Sequence, residues 1–405
     1  MDKFIDVKDI TVTKTEDIRK VKNIASPEET SAEEVYSGER KGQNIALPFS
    51  SLINVNRKYL FNNFKLDELI FAITDVCPFR CKHCYYADTM DVKNEEAVYG
   101  MSLDEITKIS ASLGHFDKLL ITGGEPFLRK DVAEICKIFY TQNKVRHIHL
   151  PTNAFHTRRI VSTVKNILEE CTEINFALSI SIDGFKETHT EIRGVKRSFE
   201  KLLETTHAMG ELRKQYDNLR LNIITVVNNR NLHEILDLAE FVKNELPVDS
   251  HGPIPVRGDP YDKYMRPPTT EEWDKLSKEL IKIQGDWNNK REESYAKKLL
   301  RTNSEGHLYK VITRVMKEEG LPFQCKAGEL IGVLEANGDV RVCELKDVIG
   351  NVKDFDYDFK GVWFSDAANK MRETVPGCSC THPCFINASR RIGLKQIIST
   401  ATGTV

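Results

Sequence analysis

Cys77, Cys81 and Cys84 stand in a C-x3-C-x2-C run, Cys77-Pro78-Phe79-Arg80-Cys81-Lys82-His83-Cys84, with Tyr85 and Tyr86 directly behind. Three thiols on one short loop suit a [4Fe–4S] cluster, because such iron is held by cysteine sulfur. Three protein ligands for four irons leave one iron open to a small molecule that chelates through nitrogen and oxygen. Zinc is the competing reading; it wants a fourth ligand, and His83 is the local candidate. A second group, Cys325, Cys343, Cys378, Cys380 and Cys384, lies near the C-terminus. Between Cys325 and Cys343, Ala336-Asn337-Gly338-Asp339 separates the β-rich runs Ile331–Leu334 and Val340–Val342. Asn-Gly in that setting signals a tight hairpin, whose open end brings Cys325 and Cys343 toward one another. Five thiols are enough for one cluster, but four cysteines on hairpins also make a zinc ribbon, so both metals stay open here. Cys136 and Cys171 stand alone in apolar helical patterns and read as buried structural thiols.

These groups need elements to hold them. From Leu69 onward short β-rich runs alternate with helical stretches. The strands expected are Leu69–Thr74, Lys118–Thr122, His147–Leu150, Asn175–Ile182, Arg220–Val227 and Ser250–Val256. The helices expected are Leu103–Leu113, Val132–Gln142, Arg158–Glu170, Ser198–Tyr216 and Leu232–Asn244. Six strands alternating with helices make an α/β chain with a parallel sheet, and ligands of such sheets bind at the carboxyl ends of the strands. The Cys77 loop follows the first strand and therefore belongs at that end. Thr270 to Glu319 reads as packing helices, with Trp273, Leu276, Leu280 and Ile283 on one face.

The expected organisation is a polar extension over 1–65, a core over 66–260, a helical segment over 261–323, a cysteine-rich unit over 324–390 and a tail over 391–405. The chain has 405 residues and a formal net charge of −2, which gives no global pull toward nucleic acid or anionic membranes. No apolar run approaches ~20 residues, and Met1-Asp2-Lys3-Phe4 lacks the apolar core of a signal peptide, so a cytoplasmic location is expected. Ten cysteines without an export signal read as reduced, metal-binding thiols.

Further motifs sit behind the later strands. The second is followed by Thr122-Gly123-Gly124-Glu125-Pro126, where two glycines allow close backbone approach and a carboxylate suits an ammonium group. The third ends in Pro151-Thr152-Asn153-Ala154; Asn153 is placed to meet a ribose or a substrate, or to cap the turn. The fourth ends in Ser179-Ile180-Ser181-Ile182-Asp183-Gly184, followed by His189, Arg193-Gly194 and Ser198-Phe199. After the sixth come His251, a candidate acid or base, and Arg257, a candidate contact for an anionic group or for adenosine.

Taken together, C-x3-C-x2-C, Gly-Gly-Glu-Pro, Ser-x-Asp-Gly and the C-terminal C-x12-G-x4-C resemble the radical S-adenosylmethionine (SAM) superfamily, in its subgroup with SPASM or Twitch auxiliary-cluster domains. The resemblance spans roughly residues 68–390. It implies a partial (β/α)6 TIM-type barrel with a small cysteine-rich β-hairpin domain at its C-terminal side. It implies one [4Fe–4S] cluster on Cys77, Cys81 and Cys84 that binds SAM, and one auxiliary [4Fe–4S] cluster on Cys325, Cys343 and Cys384 with Cys378 or Cys380. Cofactor contacts carried over are Gly123, Gly124, Glu125, Pro126, Asn153, Ser181, Arg193 and Arg257, with Ser181 and Arg193 toward the SAM carboxylate and ribose. For Asp183 and His189 structural roles are expected. Glu344, beside Cys343, matches an acidic residue that acts as a base in some members; a solvent-facing strand residue is the plain alternative. The activity implied is reductive SAM cleavage and hydrogen abstraction by a 5′-deoxyadenosyl radical. An oxidoreductase acting on a small molecule (a sugar, aminocyclitol, nucleotide or cofactor precursor) ranks first. A maturase of a ribosomally made peptide ranks second, and a non-enzymatic redox sensor third. An electron donor such as flavodoxin or ferredoxin is the partner implied. Two departures stand out: Ala154 replaces a usual glycine, and five C-terminal cysteines replace the seven of a full SPASM domain.

Overall fold

The computed structural model describes residues 56, 57, 60, 65–86, 100–289 and 294–405. The expected N-terminal extension thus lies almost entirely outside the described residues.

Six parallel strands, β1 (Glu68–Ala72), β2 (Lys118–Thr122), β3 (His147–Thr152), β4 (Asn175–Ser181), β5 (Leu219–Val227) and β6 (Ser250–Pro255), pair in chain order. The helices between them are α1 (Leu103–Leu113), α2 (Val132–Asn143), α3 (Thr157–Glu170), α4 (Lys186–Arg193), α5 (Ser198–Arg213) and α6 (Ile235–Glu245). Local sequence sets these boundaries. Ser102 caps α1 reciprocally with Glu105. Gly194 ends α4 in the left-handed conformation. Along β5 every second residue is buried, so alternate side chains face the helical layer. The parallel-rich α/β sheet is that of a partial TIM barrel, and no helix among the described residues is long and apolar enough to cross a membrane.

Two long helices follow, α7 (Thr270–Asn289) and α8 (Tyr295–Met316). Trp273, Leu276 and Leu280 of α7 are buried with Tyr309 and Ile312 of α8 and Val227 and Ile235 of the barrel, so the apolar face read in the sequence is a packing face. The chain then returns to the sheet. Strand β7 (Ile331–Leu334) pairs in parallel with β1, from Glu68↔Ile331 to Phe71↔Leu334. Strands β8 (Asp339–Arg341) and β9 (Val348–Asn351) continue antiparallel, which makes nine strands in the order β6-β5-β4-β3-β2-β1-β7-β8-β9. The Asn337-Gly338 hairpin is therefore an extension of the barrel sheet, and one core runs from Leu69, Phe71 and Ile121 to Val333, Trp363 and Phe385. Gly332 of β7 is required by this packing: a Cβ there would lie 2.5 Å from the Trp363 ring. Four short helices, α9 (Phe359–Trp363), α10 (Asp366–Glu373), α11 (Pro383–Ser389) and α12 (Leu394–Thr402), finish the chain.

Candidate active site

The register fixes where the two thiol groups stand. Cys77, Cys81 and Cys84 follow the carboxyl end of β1. Strand β7 runs alongside β1 and β8 runs back, with Val333 opposite Arg341. Cys325 before β7 and Cys343 after β8 therefore sit toward the amino end of β1. The two groups thus flank opposite ends of a five-residue strand. Within the second group Cys325 lies in electrostatic range of Cys343, Cys378 and Cys380, and Cys384 in range of Cys343. The structure thus brings all five C-terminal thiols into one neighbourhood.

Neighbouring backbone shapes the first loop. Gly124 N–H donates to Thr74 O (2.7 Å) and Glu125 N–H to Val76 O (2.8 Å). A Cβ on Gly123 or Gly124 would lie 2.2 Å from Thr74 O or Val76 O respectively. The close approach anticipated for these glycines is therefore made by the cysteine loop itself. Glu125 is held by hydrogen bonds within the protein. Its Oε1 accepts from Phe127 N–H (3.2 Å) and Thr152 Oγ1 (2.9 Å), and its Oε2 from Asn153 N–H (2.8 Å). Burial pushes its carboxyl up to about 7 against these three hydrogen bonds. It is a strut between the ends of β2 and β3, with Pro126 opening the 3-10 turn Pro126–Leu128 behind it. On the far side of the loop, Lys82 N–H bonds Ile192 O, and Asp262 and Tyr261 N–H bond the carbonyls of Lys82 and Cys84.

Arg193 is likewise engaged within the protein. Its Nε lies 2.6 Å from Asp183 Oδ2, and its Nη1 points at Cys81 Sγ (3.6 Å). The fork is engaged by the protein's own carboxylate and by a thiol of the loop. Asp183, wholly buried, also accepts from Val226 N–H (2.9 Å) and lies 3.7 Å from His83 Nδ1. Burial opposes its ionisation, but Arg193, with His83 and His189, outweighs burial and holds the carboxyl below its ordinary range. His83 is turned to Asp183, and burial lowers it to about 4. His189 accepts from Asp183 N–H at Nδ1, and burial followed by Arg193 lowers it to about 3. The structural roles expected of Asp183 and His189 match this network. Asn153 uses Oδ1 to cap Phe155 N–H (3.0 Å), while its buried Nδ2 has no partner. Ala154 beside it has φ +60°, the conformation for which glycine is favoured. Ser181 ends β4 next to these groups. His251 is buried against Thr225 Oγ1 (2.8 Å) and held neutral by burial, which lowers it to about 3; this is a packed core histidine.

Between the two thiol groups lies a polar set, buried at His382 and half-buried at Tyr85, Arg257 and Glu344, whose grouping the sequence did not reveal. The Arg257 guanidinium sits 5.8 Å from the Tyr85 ring centre. Glu344 hydrogen bonds His382 Nε2 and Tyr85 and lies in range of Arg257. Its side chain is 9% exposed, so it is not the solvent-facing residue of the plain reading. Burial raises the Glu344 carboxyl, but His382, Arg257 and Tyr85 together hold it below its ordinary range. His382, completely buried between Cys380 and Cys384, was missed; only its position between those cysteines hinted at it.

The donor sets fit iron. Burial pushes Cys77 up to about 12 and Cys81 to about 11, the latter against the pull of Arg193. Burial likewise pushes Cys343 to about 12 and raises Cys325, Cys380 and Cys384. Burial thus disfavours a bare thiolate at both places. An N–H aimed at sulfur, as from Arg193, suits a thiolate cluster. Among the described residues no three His, Cys, Asp or Glu side chains converge closely enough to hold a single metal ion. A cuboidal cluster spreads its ligands more widely than one ion.

Residues 71–242 match the family model of the radical SAM superfamily. That stretch is less than half of the chain, and over it the sequence is similar to the radical SAM superfamily. A GTP 3',8-cyclase of Helicobacter pylori is 31% identical over 183 residues, 45% of this chain and 54% of the relative. An Fe-coproporphyrin III synthase of Methanosarcina barkeri is 24% identical over 188 residues, 46% of this chain and 43% of the relative. The chain thus spans about half the length of the curated relatives it matches. Among solved structures, Streptococcus suis SuiB bound to precursor peptide SuiA superposes with a TM-score of 0.55 at 15% identity, covering 92% of this chain and 85% of SuiB. Native anSMEcpe with bound AdoMet gives 0.55 at 19%, covering 80% of this chain and 89% of that one. At such identities the likeness is one of fold. A radical SAM domain implies a [4Fe–4S] cluster and SAM as its cofactors.

Proposed function

We propose that this protein is a radical SAM enzyme with two four-iron clusters, acting on a small molecule held in the barrel between them. The observation that carries this reading is the arrangement of two thiol groups toward opposite ends of β1 with the polar set Tyr85, Arg257, Glu344 and His382 between them. Cys77, Cys81 and Cys84 would hold the cluster that binds SAM, and four positions among the C-terminal group would hold the auxiliary cluster. When bound, the first cluster and SAM supply the one-electron chemistry that yields a hydrogen-abstracting 5′-deoxyadenosyl radical.

The chain's own residues do the rest. Gly123, Gly124 and Glu125 fix the loop against β2 and β3. Arg193 directs a positive N–H at Cys81 and is itself oriented by Asp183. Asn153 Nδ2 and Ser181 stand at the strand ends where SAM would lie. Tyr85 hydrogen bonds Glu344, and Arg257 lies in electrostatic range of both. For Glu344 we propose a holding role toward His382, Tyr85 and Arg257, since its carboxylate is already engaged by them. Small-molecule substrates are supported by the names of the curated relatives, a GTP cyclase and an Fe-coproporphyrin III synthase.

Anaerobic reconstitution tests the proposal. About eight irons per chain are expected, and about four after Cys77, Cys81 and Cys84 are changed to Ala, with loss of reductive SAM cleavage. Zinc at the C-terminal group would refute the second cluster. Cell extract should stimulate formation of 5′-deoxyadenosine, and the stimulation should survive protease treatment of the extract. Its loss on protease treatment would transfer the assignment to a peptide substrate. Failure to form 5′-deoxyadenosine at all would leave a redox sensor.

A further inference from the structure

His382 is surrounded by groups that engage one of its ring nitrogens and leave the other unpaired. It lies between Cys380 and Cys384, and its backbone N–H donates to Cys380 Sγ. Its ring packs edge-on against Phe385, 4.8 Å between centres, and no part of the side chain is exposed. Nε2 hydrogen bonds the Glu344 carboxylate. With Nε2 taken up by that carboxyl group, Nδ1 is the ring nitrogen left over. That Nδ1 is buried and has no hydrogen-bond partner. Native interiors seldom leave a buried polar atom unpaired. A histidine that donates one ring N–H to a carboxylate and keeps the other nitrogen free has the usual arrangement of a metal-ligating imidazole.

Resting on the reading of the C-terminal thiols as an iron site, we infer that His382 is a nitrogen ligand to that iron, bound through Nδ1 and held at Nε2 by Glu344. Three of the five thiols then complete the set of four. This explains why Glu344 follows Cys343 directly: it orients the imidazole. A neutral imidazole in place of a thiolate makes the cluster less negative and raises its reduction potential, as in other histidine-ligated iron–sulfur centres.

The test uses the full chain with Cys77, Cys81 and Cys84 changed to Ala, so that iron bound after anaerobic reconstitution belongs to the C-terminal group. The reduced cluster is studied by pulsed electron paramagnetic resonance, with histidine nitrogen either unlabelled or replaced by nitrogen-15. The expected result is about four irons per chain with a strong nitrogen coupling that changes isotope with the histidine label. Adding His382→Cys should retain the iron, abolish the coupling and lower the midpoint potential. Four irons without histidine coupling, or a coupling that persists in His382→Cys, would overturn the ligand while leaving the auxiliary cluster standing. Should His382→Cys fail to hold iron, the labelled protein with His382 intact decides alone. Absence of iron, or zinc in its place, overturns both readings.

Discussion

Arg193→Ala should destabilise the protein severely even before any iron is added. In the structure Nε pairs with Asp183 at 2.6 Å, with the two side chains 9% and 0% exposed. Removing the arginine leaves a wholly buried carboxylate facing only Val226 N–H and the weakly basic His83 and His189. Breaking one side of a buried pair costs about 3–5 kcal/mol, because the remaining charge is left uncompensated. At about 1.4 kcal/mol per factor of ten, the folded-to-unfolded ratio falls by roughly two to three and a half orders of magnitude. That is a large part of a total stability of about 5–15 kcal/mol. Removing both charges should be much milder, since two neutral groups of similar shape need no counter-ion. Asp183→Asn combined with Arg193→Met keeps an oxygen for Val226 N–H and should recover most of the loss. The assay is urea unfolding of the metal-free protein for the two single variants and the double variant. If Arg193→Ala unfolds at the wild-type midpoint, the pairing is not what holds the strand-four turn. Arg193 would then be free for a cofactor carboxylate, as the sequence suggested. Reconstituted Arg193→Ala should also bind less iron at the first loop, because its Nη1 faces Cys81.

Gly124→Ala should push the cysteine loop away from β2, since the new Cβ would sit 2.2 Å from Val76 O; iron analysis should find the first cluster lost and the second kept. Gly332→Ala forces a methyl to 2.5 Å from the Trp363 ring, and overpacking of this kind costs about 1–3 kcal/mol, read as a lower urea midpoint. His251, lowered to about 3 in the folded chain by burial, contributes nothing to the pH dependence above the ordinary histidine value of about 6.5. As pH falls from there toward 3 the unfolded chain takes up the proton first, so stability drops by about 1.4 kcal/mol per pH unit; unfolding curves of His251→Gln against pH should lack that one-proton slope. Glu344→Gln separates two roles: a base predicts both clusters intact with product lost, whereas the holding role predicts disturbed iron at the C-terminal group with the first cluster unaffected.

The barrel was readable because its signals are local. Lys118–Thr122 and Leu103–Leu113 have the residues expected, since alternation in one and a Ser102–Glu105 cap in the other mark their ends. Helix α4 was absent from the sequence reading: its polar run Lys186–Arg193 buries only His189, Ile192 and Arg193, which makes no conspicuous stripe. The three-thiol loop was legible from spacing alone. The environment of Arg193 was not, because the order of Ser181, Asp183, His189 and Arg193 says nothing of which charge meets which. Only the turn after β4 brings Asp183 against Arg193. The same holds for Glu125, whose partners Thr152 and Asn153 come from the next strand. Motif order revealed which residues gather at the strand ends, and tertiary pairing decided which of them remain free for a ligand.

The hairpin shows how strongly pairing outranks sequence grouping. Cys325 and Cys343 read as the start of a separate unit, yet β7 bonds to β1 through Glu68↔Ile331 to Phe71↔Leu334. The distance between the two thiol groups is thereby set by backbone hydrogen bonds within one sheet, not by a linker. Strands β1 and β7 therefore hold the two groups in one frame. Tyr85 and Arg257 come from the side of the first loop, and Glu344 and His382 from the side of the second. On the proposed reading, a substrate held by these four side chains would stand between the two thiol groups. Changes at any of the four should therefore alter the coupling between SAM cleavage and product more than they alter cleavage itself. The ratio of 5′-deoxyadenosine to product across Tyr85→Phe, Arg257→Lys and Glu344→Gln measures that coupling, and a ratio unchanged in all three would place the substrate outside the barrel.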